Sequence, residues 1–313
     1  MEPSGSFPPL LRPEPAGPVN FGPITFIPGR KGGRYPYCHS LVIEQGTDTW
    51  VVDPAADKAF FQELVRTRRV TGVFLSHFHE DHQKYNYLFP EARFYGPVLE
   101  AEAFTSMAAI FQFMGITDPQ FQDYWRRTLT QDFHFQPLTN FTPYLPGQLF
   151  QLGEVILEII PAPGHTPGHS CFHFPRQQLL FLADVDLTPF GPWYGDATSN
   201  LETFESTLDA LKQIRAQTYI TAHEQGLFTE AEFSSGLAAF RDKIEQREAR
   251  LLDALGTPQS LDRLVARRLV YGKAKEPQFV YDHMEGQMLA KHLDRLLRQG
   301  FIVRTPAGFQ RLL

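Results

Sequence analysis

Short apolar runs bounded by turn residues recur over the first two thirds of the chain. Such runs predict buried β-strands, and four of them are Ile24–Ile27, Val70–Leu75, Val155–Ile160 and Gln178–Ala183. The segment Lys58–Arg68 instead places Phe61, Leu64 and Val65 on one face, which predicts a helix. Strands that alternate with helices in this way predict an α/β fold.

The last third of the chain changes to helical spacing. Helices are predicted at Ala238–Leu255, Ser260–Leu269 and Asp282–Gln299. Apolar segments on either side of the turn Thr305–Gly308 then predict a hairpin, and helices followed by a small hairpin resemble a winged helix. We therefore expect a flexible proline-rich arm at 1–19, a large α/β domain at 20–235 and a winged-helix-like domain at 236–313.

Residues 98–145 carry ten aromatic side chains, among them Phe104, Phe111 and Trp125. Helices are predicted at Val98–Met114 and from Pro119, which Asp118 caps. This segment is interpreted as a helical insertion in the large domain. One interpretation of its role is a lid or an apolar substrate pocket. The other is that the aromatic rings pack against each other or across a homodimer.

The densest chemistry in the chain is the segment Ser76–His82, directly after the predicted strand Val70–Leu75. It holds three histidines and two acidic residues, with His77, His79, Asp81 and His82 as candidate metal ligands. Imidazole together with carboxylate suits zinc, iron or manganese better than calcium. The spacing allows two ions, one near His77 and His79 and one near Asp81 and His82.

If the segment Ser76–His82 binds metal, further ligands are expected elsewhere in the sequence. His165, Asp184 and His223 each follow a predicted strand, at Val155–Ile160, Gln178–Ala183 and Thr218–Ala222. Polar residues at strand ends are common in any protein. A set of four such elements in one order is much more specific, and it points to one shared metal centre.

This pattern resembles the two-metal hydrolase branch of the metallo-β-lactamase superfamily, over roughly residues 20–230. The resemblance implies a four-layer αββα sandwich with a C-terminal winged-helix-like domain, as in related endoribonucleases. It assigns one metal to His77, His79 and His165, and the other to Asp81, His82 and His223. Asp184 would bridge both metals.

Two departures from the family pattern are visible. Glycine usually precedes the bridging aspartate and the last histidine, where this chain has Ala183 and Ala222. Both residues are small, so we expect the site geometry to survive. The flavodiiron branch has glutamate where this chain has His79, which argues against that branch.

Other residues are candidates for supporting roles. Asp53 follows a predicted strand and can orient a ligand imidazole, and His169, four residues after His165, is expected beside the ligands. Trp193 and Tyr194 lie in the loop after Asp184, so both are candidates for contact with a substrate. Asp81 and Asp184 are also the candidate catalytic residues, because Asp81 can orient the attacking hydroxide.

Composition sets limits on location and partners. No apolar run of about 18 residues is present, so no membrane span is expected. The N-terminal residues lack the pattern of a signal peptide and the chain has two cysteines, which together predict a cytoplasmic protein. Residues 241–313 carry a net charge of +5 and residues 1–240 carry −11. This basic region indicates either an anionic partner such as RNA or a solvated helix face.

The resemblance implies a hydrolase in which a metal-bridging hydroxide attacks the substrate. The favoured substrate is an ester, thioester or lactone of a small molecule, because the aromatic insertion suits an apolar substrate. The alternative is an endoribonuclease that cleaves RNA phosphodiesters, and the least favoured is a nucleic-acid-binding or scaffold protein with a vestigial metal site. Two divalent metals are the expected cofactors, with zinc first and iron or manganese as alternatives.

Overall fold

The computed structural model of the protein describes residues 17–312. Two β-sheets lie face to face and helices cover their outer faces. The strands are β1 (Val19–Phe21), β2 (Ile24–Ile27), β3 (Ser40–Gln45), β4 (Asp48–Val52), β5 (Arg69–Phe74), β6 (Arg93–Pro97), β7 (Phe141–Tyr144), β8 (Leu149–Leu152), β9 (Val155–Pro161), β10 (Ser170–Phe174), β11 (Leu179–Phe181), β12 (Thr218–Ile220), β13 (Leu227–Thr229), β14 (Ile302–Thr305) and β15 (Gly308–Arg311). The helices are α1 (Lys58–Thr67), α2 (Glu80–Gln83), α3 (Ala101–Thr105), α4 (Met107–Met114), α5 (Pro119–Arg127), α6 (Leu201–Leu211), α7 (Glu230–Ala254), α8 (Leu261–Ala266) and α9 (Gln278–Arg298).

The first sheet has the order β1 to β7. Its first four strands form an antiparallel meander, and β4, β5, β6 and β7 run parallel to one another. Strand β5 lies between two parallel neighbours, so its carboxyl end opens at the middle of one sheet edge. The metal-ligand turn leaves the sheet at that edge, where binding sites of parallel strands usually lie.

The second sheet has the order β13-β12-β11-β10-β9-β8. Strands β11 and β12 are parallel neighbours, and Phe181 pairs with Ile220 near their carboxyl ends. Asp184 lies three residues after the end of β11, and His223 lies three residues after the end of β12. The sheet register therefore brings two residues that are far apart in sequence to the same edge.

Three hydrophobic cores separate the four layers. The core between the sheets contains Phe26, Phe74, Phe172 and Phe181, all completely buried. A second core lies under α1 and α3–α5 on the outer face of the first sheet. A third lies under α6, α7 and α9 on the outer face of the second sheet. The predicted four-layer α/β sandwich is confirmed.

The segment 98–145 packs mainly into the core on the first sheet. Phe104, Phe111 and Trp125 are buried there, which favours the packing interpretation for those rings. The predicted helix Val98–Met114 is divided at Ser106, whose backbone is extended and whose side chain accepts a hydrogen bond from Ala109 N at the start of α4. A serine that caps a new helix explains the break.

The C-terminal region contains the expected helices and hairpin. Helix α7 begins at Glu230, behind a capping box formed by Thr229 and Glu232, so the predicted boundary between 235 and 236 lies inside this helix. Met288 and Leu293 of α9 share one core with α6 and the second sheet. The C-terminal region therefore packs directly on the α/β body, and its assignment as a separate winged-helix-like domain stays a prediction.

Two expectations concern the ends of the chain and membranes. The proline-rich arm at 1–19 lies outside the described residues except for its last three, and Val19 already begins β1. Among the described residues, none of the helices has both the length and the hydropathy that crossing a bilayer requires.

Candidate metal centre

The first ligand turn begins where β5 ends and is held from below by Asp53. The Asp53 carboxylate is completely buried and accepts hydrogen bonds from Ser76 N (2.8 Å) and Ser76 Oγ (2.6 Å). His79 has extended backbone and caps the short helix α2, which carries Asp81 and His82. All four predicted ligands of this turn point to one region.

The first group of donor atoms joins His77, His79, His165 and Asp184. His79 Nδ1 lies 3.0 Å from His77 Nε2 and 3.0 Å from His165 Nε2. Asp184 Oδ2 lies 3.3 Å from His165 Nε2 and 3.9 Å from His77 Nε2. Ligand atoms about 2.0–2.1 Å from a zinc ion are separated by distances of this size in a tetrahedral site.

The second group lies on the other side of the same carboxylate. Asp184 Oδ1 is 2.8 Å from His82 Nε2 and 3.4 Å from His223 Nε2. His223 Nε2 is also 3.6 Å from Asp81 Oδ2. The two oxygens of Asp184 thus face different groups of donors, as expected for a bridging carboxylate.

The donor atoms themselves indicate that a cation belongs here. His82 Nε2 and Asp184 Oδ1 are buried and lack a hydrogen-bond partner among the described residues, although they approach each other to 2.8 Å. Buried polar atoms are normally satisfied. Two such atoms that converge on a common point without bonding fit coordination to a metal ion, and the imidazole and carboxylate set suits zinc, iron or manganese.

Each of the five candidate ligand histidines has one ring nitrogen that faces the other donor atoms. Its second ring nitrogen makes a hydrogen bond that orients the ring. The acceptors are Ser76 Oγ for His77 (2.9 Å), Asp196 for His79 (2.7 Å), Asp53 for His82 (2.8 Å), Trp193 O for His165 (2.9 Å) and Gly33 O for His223 (2.6 Å). These bonds fix which nitrogen carries the proton. The remaining nitrogen of every ring is therefore free to bind a metal.

His169 supports the bridging carboxylate rather than joining the ligand groups. Its Nδ1 donates to Ala162 O (2.9 Å) and its Nε2 accepts from Asp184 N (3.1 Å). Burial and the neighbouring His165 lower the pKa of His169 to about 3, so the ring is neutral and can accept this bond. His169 thereby holds the backbone of Asp184, beside the candidate ligands.

The backbone conformation of Ala183, just before Asp184, explains why glycine is usual at this position. Its φ is 47°, in the left-handed region, and its side chain is completely buried. This conformation costs a residue other than glycine about 1–2 kcal/mol. Ala222 does not share it, because its φ is not positive. The chain accommodates both alanines and keeps the ligand geometry.

The sequence-based set lacks three acidic residues of the site, Asp196, Glu100 and Asp186, the last of which forms a further group of possible metal donors with Asp184 and His223. Asp196 binds His79, and Glu100 accepts from Phe78 N (2.8 Å) and Gly168 N (2.6 Å), which joins the two ligand loops. Both side chains are nearly or completely buried. A buried carboxylate in a loop has no local sequence signal, although Asp196 does lie in the loop that follows Asp184.

Burial and neighbouring charges shift the pKa values of the two aspartates Asp184 and Asp186 in different directions. Burial acts to raise the pKa of Asp184, but the imidazoles of His82, His223 and His77 hold it well below its usual value. Asp186 accepts a hydrogen bond from His223 N (3.2 Å), and burial raises its pKa to about 8. Asp184 is therefore ionised and ready to bind cations.

The two aromatic candidates of the following loop differ in position. The Trp193 ring is half-buried and lies 5.4 Å from the rings of both His79 and His165. Tyr194 is completely buried, its hydroxyl donates to His292 Nε2 (2.7 Å), and Arg247 donates to the same oxygen. The expectation that Tyr194 contacts substrate is wrong, because its hydroxyl is engaged beneath the loop.

The C-terminal helices hold the loop that carries these residues. Arg247 of α7 is nearly buried, donates to the carbonyls of Phe190 (2.6 Å) and Pro192, and lies over the Phe190 ring. Lys291 of α9 donates to Asp196 O (2.6 Å). The loop that orients His79 and His165 is thus held by packing from the C-terminal helices.

Comparison with known proteins places this geometry in a family. The chain is 28% identical over 120 residues to a hydroxyacylglutathione hydrolase of Rhizobium etli, a match that covers 37% of this chain and 34% of that protein. It is 22% identical over 202 residues to an atrochrysone carboxyl ACP thioesterase of Paecilomyces divaricatus, covering 62% of this chain and 52% of that protein. The chain thus spans only a third to a half of the length of these curated relatives.

A solved structure agrees over nearly the whole fold. A metallo-beta-lactamase family protein from Thermus thermophilus superposes with a TM-score of 0.70 at 20% identity, covering 93% of this chain and 99% of that one. The profile of the metallo-beta-lactamase superfamily matches residues 34–223, which include every ligand described above. The chain therefore belongs to the metallo-beta-lactamase superfamily.

Proposed function

We propose that the protein is a metal-dependent hydrolase that cleaves a thioester of a small molecule. The observation that carries this proposal is the pair of donor groups that share Asp184, with two buried donor atoms left without hydrogen bonds among the described residues. The choice of a thioester is supported by the relatives, since hydroxyacylglutathione hydrolases and acyl-carrier-protein thioesterases are both named for cleaving one. Esters and lactones are related carbonyl substrates and stay alternatives.

The metal ligands of this proposal are the seven predicted residues. His77, His79 and His165 would hold one divalent ion, and Asp81, His82 and His223 the other, with Asp184 between them. Bound divalent metals supply Lewis acidity, which polarises a carbonyl and makes water a stronger acid. We propose zinc as the metal, with iron and manganese as alternatives that fit the same donors.

The chain's own side chains would prepare the site for carbonyl chemistry. The buried carboxylates of Asp53 and Asp196 hold His82 and His79 in one tautomer and orientation. The Trp193 ring lies against two ligand rings and offers an apolar wall for an acyl group. Asp81 is proposed to orient the attacking oxygen, in addition to its role as a ligand.

The ion pairs of the C-terminal region favour a small molecule over RNA. Arg241, Arg295 and Arg298 pair with Asp209, Glu205 and Glu202 of α6. Three basic side chains of this region therefore neutralise acids of the same chain. This weakens the charge argument for an endoribonuclease, and RNA binding, a homodimer and a cytoplasmic location stay predictions.

Elemental analysis and a hydrolysis panel on one preparation test the proposal. We expect about two metal ions per chain and turnover of thioesters that exceeds turnover of lactones, phosphodiesters and short RNA. Two metals with RNA cleavage and no thioester turnover would instead support the endoribonuclease. A protein without metal and without turnover would favour a vestigial site and contradict the proposal.

A further inference from the structure

Lys84 is a buried lysine beside the metal-ligand turn, two residues after His82. Its residue exposure is 9%. Its Nζ donates to Asp132 O (2.6 Å) and lies over the rings of Phe133 (4.4 Å to the centroid) and Tyr37 (5.5 Å). The ammonium group is therefore held by one backbone carbonyl and two aromatic faces.

A buried ammonium normally has an anionic partner, because moving a charge out of water is costly. Among the described residues, no carboxylate oxygen lies within 4.0 Å of Lys84 Nζ, and Asp132 O is its single hydrogen-bond acceptor. An ammonium group has three donors. The structure thus holds a cation in place with donor capacity that the described residues do not use.

Further cations collect around the same ring. Arg30 Cζ and Lys31 Nζ each lie 5.9 Å from the centroid of Tyr37. The carboxylate of Asp57 lies 4.0 Å from Arg30 Nε and also caps α1. Three cations therefore face one aromatic ring, although residues 1–240 carry a net charge of −11. We call Arg30, Lys31 and Lys84 the Tyr37 cation cluster.

The basic environment extends beyond the cluster. Lys58 Nζ lies 5.7 Å from the Tyr87 ring, which contacts the ring of His134 at 4.7 Å. Burial lowers the pKa of His134, and the nearby Lys84 and Lys58 lower it further. Acidic groups of the same region, Asp132 first among them, offset part of this positive charge.

The loop that carries Arg30 and Lys31 also contacts the metal centre. Gly33 O accepts from the ligand His223 (2.6 Å), and Tyr35 Oη donates to Glu80 Oε1 (2.9 Å), next to Asp81. Arg30, Lys31 and Tyr35 are exposed, so this side of the loop is open to solvent. One short segment therefore connects the cation cluster to the ligands.

We propose that the Tyr37 cation cluster is a subsite for an anionic group of the substrate, a carboxylate or a phosphate, at a distance from the bond that is cleaved. An anion there would complete the hydrogen bonding of Lys84 and be attracted by Arg30 and Lys31. This inference rests on the proposed function and deepens it. It assigns the substrate class as thioesters whose thiol or acyl part carries negative charge.

Kinetics with matched substrates on the metal-loaded full-length protein test the subsite. One acyl group is presented on N-acetylcysteamine, which is neutral, on glutathione, which carries carboxylates, and on coenzyme A, which carries phosphates. We expect Lys84→Met to lower kcat/KM about tenfold for one or both anionic thioesters, as for the loss of a hydrogen bond to a charged group. The loss should lie mainly in KM, and kcat/KM for the neutral thioester should stay unchanged. The glutathione and coenzyme A substrates distinguish a carboxylate from a phosphate.

Two further variants keep the result clear. Lys31→Met alters an exposed side chain, so it leaves the fold intact, and it should shift the same substrates in the same direction by a smaller factor. Lys212→Met removes an exposed lysine that pairs with Asp209 on α6 and should have no effect. Equal loss on neutral and anionic thioesters, or no loss in either cluster variant, would overturn the subsite.

A binding measurement separates this inference from the proposed function. Calorimetric titration of the metal-loaded protein with S-methylglutathione and with inorganic pyrophosphate needs no turnover. Weaker binding to Lys84→Met than to the wild type would support the subsite even where no thioester is cleaved, and would then refute only the thioesterase proposal. Equal binding of both probes to the two proteins would refute the subsite alone.

Discussion

Asp196 offers the sharpest test of how this metal centre is assembled. Its carboxylate is 1% exposed and accepts from His79 Nε2 at 2.7 Å, which leaves His79 Nδ1 directed at His77 and His165. Although burial opposes it, this carboxylate raises the pKa of His79 to about 9. Asp196 therefore makes the ring both correctly oriented and more basic.

The size of the effect follows from this contact. A buried hydrogen bond to a charged group contributes about 1.5–3 kcal/mol, and loss of such a partner typically lowers metal affinity about 10–100-fold. Asp196→Ala should therefore weaken binding of the metal at His77, His79 and His165 by about 10–100-fold. Asp196→Asn keeps an oxygen acceptor without the charge, so it should lose roughly half of that free energy.

Competition against a chelator measures this affinity directly, with the number of bound metals counted by elemental analysis. The backbone contacts of Asp196 with Ser199 and Lys291 do not involve its side chain, so the loop should stay in place. Asp209→Asn is a matched control, because Asp209 pairs with Lys212 and Arg241 at the surface of α6. Wild-type affinity for both metals in Asp196→Ala would refute the orienting role.

Three other changes test separate parts of the structure. Asp184→Ala should reduce the metal content from about two ions and abolish hydrolysis, and full activity with two metals retained would exclude Asp184 as the bridge. Gly164→Ala should destabilise the fold by about 3–5 kcal/mol in urea unfolding, because a Cβ would meet Phe204 Cα at 2.3 Å and φ is +130°. A change below about 1 kcal/mol would contradict that packing. Burial lowers the pKa of His39 to about 4. The unfolded chain then binds a proton that the folded chain does not between about pH 6.5 and 4, so stability should fall by up to about 3 kcal/mol as pH drops through this range. The free energy of unfolding of His39→Gln should lack this part of the pH dependence, and parallel curves would show the assignment to be wrong.

The C-terminal region has a structural role that its charge alone did not reveal. Its basic side chains looked like a surface for an anionic partner, but several of them pair with acids of α6, and Arg247 is buried against the loop of Phe190 and Pro192. That loop provides Trp193 O for His165 and Asp196 for His79. The region thus supports the candidate metal centre without contributing any of its candidate ligands.

The sequence by itself identified the candidate metal ligands and, through its family resemblance, the layered fold. Its strands end one residue or a few residues before each ligand, and the order of ligands is typical of one family, so the local pattern predicts which residues meet at a sheet edge. The His77–His82 turn is compact enough that spacing alone limits which side chains can share an ion. These features are local, and local features are what sequence periodicity reports.

Beyond Asp53 and His169, only the tertiary structure decided which residues orient and surround those candidate ligands. Asp196, Glu100 and Arg247 act through contacts with residues far away in sequence, and Tyr194, next to Trp193, points into the core instead of the site. The Tyr37 cation cluster likewise joins a loop near residue 30 to Lys84 by packing. Such contacts depend on how the sheets and helices stack, and neither hydrophobic periodicity nor motif spacing carries that information.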